Sequence, residues 1–170
     1  MGYTHYWHVT EPGISPSSWD AITKDVKHLF ANLPEHSASG GGLFAEAPLG
    51  LVRAYDRPSV GPEVSENLIA FNGKTFSKNL GHEDFRLERQ ASHESCKTAR
   101  KPYDLAVCAV LMVALRHAPE QVRLSLDDGY VPDWQPALDW VTEVLGPGYD
   151  LPRVVKDRTA ARDKCAAVAS

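Results

Sequence analysis

The chain has 170 residues, 43% hydrophobic and 24% charged, with a formal net charge of −4, a length that suits one domain able to bury a sizeable core without a disulfide or metal staple. Its acidic balance and lack of a wide basic face argue against binding to duplex nucleic acid. Three cysteines without a CxxC pair argue against a disulfide framework and fit a reducing, cytoplasmic compartment.

The opening residues lack the apolar core of a signal peptide. The longest apolar run, Leu105 to Leu115, is eleven residues, against about 20 for a bilayer span, so no membrane segment is expected. Residues 3–10 (YTHYWHVT) are aromatic and β-branched and predict a strand. Alternation puts Tyr3, His5 and Trp7 on one face and Thr4, Tyr6 and His8 on the other. A helix follows, with Ser15 as its cap and Pro16 in its first turn. Trp19, Ile22, Val26, Leu29 and Leu33 fall on one apolar face, and Pro34 ends it.

Residues 37–42 read as a loop, and Leu43–Phe44 and Leu49–Tyr55 as short strands. Arg57 to Glu66 reads as loop, Leu68–Phe71 as a strand stopped by the turn pair Asn72-Gly73, and Asp84–Arg89 as a half-buried strand. A long helix begins near Pro102 and runs to His117, apolar on every side and therefore enclosed. Val122–Leu126 is a strand closed by Asp127-Asp128-Gly129. Asp133 caps a final helix that Gly146 stops.

The order β-α-β-β-(β)-α-β-α predicts an α+β fold: a single antiparallel or mixed sheet with helices packed on it around a central buried helix. A ferredoxin-like split β-α-β core is one option. Residues 1–150 would form this domain and residues 151–170 a basic tail, helical or disordered.

The charge is unevenly spread. Residues 96–118 hold four Lys/Arg against one Asp/Glu, and residues 119–150 hold one against seven. Lys97, Thr98, Arg100 and Lys101 lie just before the long helix, whose first amides and partial positive charge favour an anion. A solvated basic loop paired with the acidic segment accounts for the same residues. Tyr3, Tyr6 and Trp7, with His5 and His8, suit stacking on a flat ligand, or simply packing on the core. The preferred reading is a site for a small anionic, nucleotide-like ligand. Arg100, Lys97 and Lys101 hold phosphate, Tyr3, His5 and Trp7 contact the flat part, and Asn72 and Tyr103 give orientation.

An enzymatic alternative places Cys96 as nucleophile, its thiolate favoured by the nearby cations, with His82, His93 or Glu83 as acid or base. A third reading is a protein–protein inhibitor with an exposed apolar patch and no basic pocket. His5 and His8 point to opposite strand faces and would not chelate together. His93-x-x-Cys96, with His82, has usable ligand spacing but no supporting second pair, so neither metal nor cofactor is expected. Phosphate-loop, dinucleotide, nucleophile-elbow and HExxH motifs are absent. A homo-oligomer stays open.

Gly2-Tyr3-Thr4-His5-Tyr6-Trp7, Ile69 to Gly73, His82-Glu83-x-Phe85, Cys96 to Asp104 and Asp133-Trp134 together resemble a family of small proteins that recurs in tailed-phage and bacterial genomes. The resemblance covers roughly residues 2–146. Asp84 departs from the Thr more typical there. The resemblance implies one of two roles: a phage counter-defence protein that sequesters a signalling nucleotide, or a small enzyme acting on nucleotides or nucleic-acid ends.

Overall fold

The computed structural model describes residues 3–37, 47–54, 59–74 and 80–168. In chain order the first elements are β1 (Thr4–Val9), α1 (Pro16–Ala31), β2 (Leu51–Val52), β3 (Glu63–Val64), β4 (Leu68–Gly73) and β5 (Phe85–Glu88). They are followed by β6 (Ser92–Lys97), α2 (Asp104–His117), β7 (Val122–Leu126), α3 (Val131–Leu145) and α4 (Arg153–Val168).

The first strand becomes the centre of a three-stranded sheet, order β6-β1-β7, with both pairings antiparallel. The outer strands are therefore parallel to each other and joined through α2, which makes one split β-α-β unit with β1 in the gap. Alternation along β1 buries His5, Trp7 and Val9 and leaves Tyr6 exposed. The second sheet is built on β4, which pairs antiparallel with β2, β3 and β5.

Each helix follows from its local chemistry. Ser15 Oγ accepts from Ser18 N at 3.1 Å to open α1, whose Trp19, Ile22, Val26 and Leu29 are buried. Every residue of α2 from Asp104 to Ala114 is buried, as an all-round apolar pattern requires. A run of rings welds the layers. Trp7 lies 4.8 Å from Phe85, Phe85 4.8 Å from Phe71, and Phe71 5.3 Å from Phe30 of α1.

The α+β class stands, but the single sheet does not: there are two antiparallel sheets. Of the ferredoxin-like option, one split β-α-β unit is present, while β2 to β5 form the second sheet instead of adding another β-α-β unit to the first. β4 runs through Asn72-Gly73 rather than stopping there. The Asn72 amide is used up by Gly73 N (2.6 Å), His82 N (3.1 Å), His82 O (2.9 Å) and Asp84 Oδ1 (2.7 Å), so it braces the strand instead of turning it.

Short β3 lies inside the expected 57–66 loop, and β6 was not expected at all. Asp133 is not the cap of α3 but sits two residues inside it, where its Oδ2 accepts from Tyr130 N at 2.9 Å. The basic tail is helical as α4, with Val155 in the core. Leu43–Phe44, Tyr55 and most of the 37–42 loop lie outside the described residues. Among those described, no helix is long and apolar enough to cross a membrane.

Candidate functional site

The inner face of β1 brings several expected site residues together, but as a packed cluster. His5 Nε2 lies 2.7 Å from Asp104 Oδ1, the first residue of α2. Thr98 Oγ1 donates to the same oxygen at 2.6 Å, and Cys108 Sγ lies 3.8 Å from Oδ2, one helical turn along from Asp104. Because the carboxylate accepts, His5 Nε2 is the donor in this contact. Nδ1, Tyr3 Oη and Trp134 Nε1 are buried with no hydrogen-bond partner among the described residues. The three rings touch edge to face, Tyr3–His5 at 5.0 Å and His5–Trp134 at 5.3 Å. Gly129, at φ +128°, closes against them: a Cβ there would stand 3.4 Å from Trp134 Nε1 and 3.5 Å from Tyr3.

The basic turn covers this cluster. Ala99 and Arg100 are both left-handed, at φ 52° and 55°, where non-glycine residues carry strain. Lys101 N donates to Thr98 O at 3.1 Å, and Thr98 N and Ala99 N donate to Tyr3 O at 3.2 and 3.4 Å. The Arg100 guanidinium lies 4.0 Å over the Tyr3 ring. Its Nη2 donates to Asp128 at 2.9 Å and its Nε to Asp133 at 3.3 Å. Burial alone would lower the Arg100 pKa, but these carboxylates outweigh burial and raise it.

Lys101 Nζ donates to Gly81 O at 2.5 Å. At the expected phosphate receptor, two of the three cations are therefore already held by protein oxygens. The acidic segment folds onto the basic one, and Arg100 and Lys101 are committed to protein oxygens. Trp7 is only 2% exposed and belongs to the ring core. Asn72 and Tyr103 are buried braces, the Tyr103 hydroxyl donating to Glu83 O at 2.8 Å.

Cys96 also departs from expectation. It is fully buried, with Sγ 3.4 Å from Glu83 O and 3.8 Å from Tyr103 Oη. Burial pushes its thiol well above the usual range, partly offset by the Tyr103 hydrogen bond. The Glu83 carboxylate accepts from Lys97 N at 2.6 Å. This is a packed thiol beside an occupied carboxylate, not an activated nucleophile. The His93–Cys96 ligand pair fails because residues three apart on a strand face opposite ways: Cys96 points inward and His93 outward.

The outer face of the same sheet is open. A groove of about 400 Å³ runs over β6, β1 and β7. Register sets two rows across it: Ser95, Tyr6 and Ser125, then His93, His8 and Arg123, about 7 Å apart along the strand. Tyr6 is 41% exposed. The His8 and His93 rings stack at 3.6 Å and 18°. The His8 pKa is lowered, by burial first and then by His93 and Arg123. Arg123 has no carboxylate within ion-pair distance among the described residues. The next row carries Lys97 opposite Thr4, and Lys97 likewise has no such partner.

Of the expected site residues, Tyr3, His5, Thr98 and Arg100 thus meet in the buried cluster, and Lys97 alone belongs to the open face. Ser95, Arg123 and Ser125 were missed, while Tyr6, His8 and His93 were singled out by residue type but not as neighbours on one face. The alternation that places Tyr6 and His8 outward was readable, but their partners on β6 were not. Comparison with family models, with curated proteins and with solved structures returns no match.

Proposed function

We propose that this chain binds a small, phosphate-bearing, nucleotide-like ligand on the open face of the β6-β1-β7 sheet. The carrying observation is a single groove in which an exposed phenol, a stacked imidazole pair and an arginine without a carboxylate partner among the described residues lie side by side. Tyr6 offers a ring for a base. Arg123, with His8 and His93 when protonated, meets phosphate. Ser95 and Ser125 supply hydroxyls on either side of Tyr6. The volume lies within the roughly 300–1,000 Å³ usual for small-molecule sites. In the setting the resemblance implies, such a protein would sequester a signalling nucleotide.

The inhibitor reading draws less support, since the large exposed hydrophobics among the described residues are Tyr6 and Val60, which do not make an apolar patch of useful extent.

Calorimetry with mono-, di- and cyclic nucleotides tests the proposal. Binding is expected for at least one class. Tyr6→Ala and Arg123→Ala should each weaken it about tenfold, since stacking alone is worth roughly 1–3 kcal/mol per base. Arg100→Ala should change affinity little, because Arg100 is bound to Asp128 and Asp133 on the inner side. No heat with any phosphate ligand would remove the proposal.

A further inference from the structure

We propose that His5, Asp104 and Cys108 form a binding site for one divalent transition-metal ion of the zinc or cobalt kind, separate from the open sheet face and independent of what binds there. Their ligand atoms all lie within 4.8 Å of one another. His5 and Cys108 are 0% exposed and Asp104 3%. Imidazole, carboxylate and thiolate are the donors such ions prefer, and three protein ligands leave a fourth position open.

The fold holds them from two directions. Asp104 and Cys108 share one face of α2 four residues apart, and β1 supplies His5 opposite. Thr98 Oγ1 grips Asp104 Oδ1, which orients the carboxylate from outside the ligand set. Oδ2 is left facing Cys108 Sγ at 3.8 Å. That is close to the separation spanned by an ion about 2.0 Å from oxygen and about 2.3 Å from sulfur. The His5–Asp104 contact, 2.7 Å to Oδ1, must open to about 3.3 Å, the separation of two ligands about 2.0 Å from a tetrahedral ion.

Charge also balances. A neutral imidazole, a carboxylate and a thiolate carry two negative charges, which a divalent ion cancels inside a buried site. On binding, Cys108 releases one proton to solvent, and His5 exchanges its Nε2 hydrogen for one on Nδ1. That nitrogen has no partner among the described residues and becomes a donor on binding.

The test titrates cobalt(II) chloride into the metal-free full chain carrying Cys165→Ser, which removes the exposed thiol. The expected result is a thiolate-to-cobalt charge-transfer band that saturates at one ion per chain, is displaced by zinc(II), releases one proton, and is lost in Cys108→Ser. Circular dichroism checks that this variant is folded. An independent readout on the parent protein is alkylation under partial denaturation, where zinc(II) should slow modification of Cys108 several-fold and that of Cys96 less. No band from folded protein at a large excess of cobalt, a band that survives Cys108→Ser, or protection of Cys96 in place of Cys108 would each overturn the assignment.

Discussion

Asp104 serves three neighbours at once. Its Oδ1 takes hydrogen bonds from His5 and Thr98, and its Oδ2 faces Cys108. Removing it strands an imidazole N–H and a hydroxyl in the core, so Asp104→Ala should cost about 3–5 kcal/mol in denaturant unfolding, the scale for breaking one side of a buried pair. Asp104→Asn keeps an acceptor oxygen and should cost less. His8 gives a pH signature on the other face. Its folded pKa lies below the usual value near 6.5. In the window just below that value the unfolded chain takes up the proton more readily, so the contribution of His8 to stability is present above it and declines as pH falls. Unfolding curves from pH 7.5 to 5.5 should show this decline, and His8→Asn should flatten it. Phosphate binding would favour the imidazolium, so affinity should rise over the same descent. At this scale the sequence exposed the charge of Arg100 but not its partners. Asp128 and Asp133 lie 28 and 33 residues away, and only the fold brings them to the guanidinium that covers Tyr3.

The elements differ in how plainly they announce themselves. α2 is an unbroken apolar run, and a helix hidden on every side is what that run demands. Leu111, fully buried on it, should lose about 2–5 kcal/mol on truncation to Ala, measured as a shift in the denaturant midpoint at unchanged slope. β6 is the opposite case. Ser92-His93-Glu94-Ser95-Cys96-Lys97 has one buried residue and no hydrophobic alternation, so nothing local marks it as a strand. It becomes one by pairing with β1 over six positions. That element carries His93, Ser95 and Lys97, so without it their places beside Tyr6 and His8 could not be read from the sequence. Asn72-Gly73 misled for a related reason: a turn-forming side chain had longer-range partners to satisfy.

At the level of the whole molecule, the α+β class was readable from the order of periodic segments, while the division into two sheets was not, because strand partners are set by contacts across the chain. The charge asymmetry was readable too, and part of its resolution is internal: Asp128 and Asp133 of the acidic stretch pair with Arg100 of the basic turn. The first strand has one more consequence. Its residues, rich in tyrosine, tryptophan and threonine, are the kind that recruit other chains when a strand lies at a sheet margin. Here they are bonded along both sides, over six positions and five. A slip of one residue would trade His5 for Tyr6 and thrust an imidazole into water. The stretch most apt to seed aggregation is therefore the one the fold leaves no margin to offer.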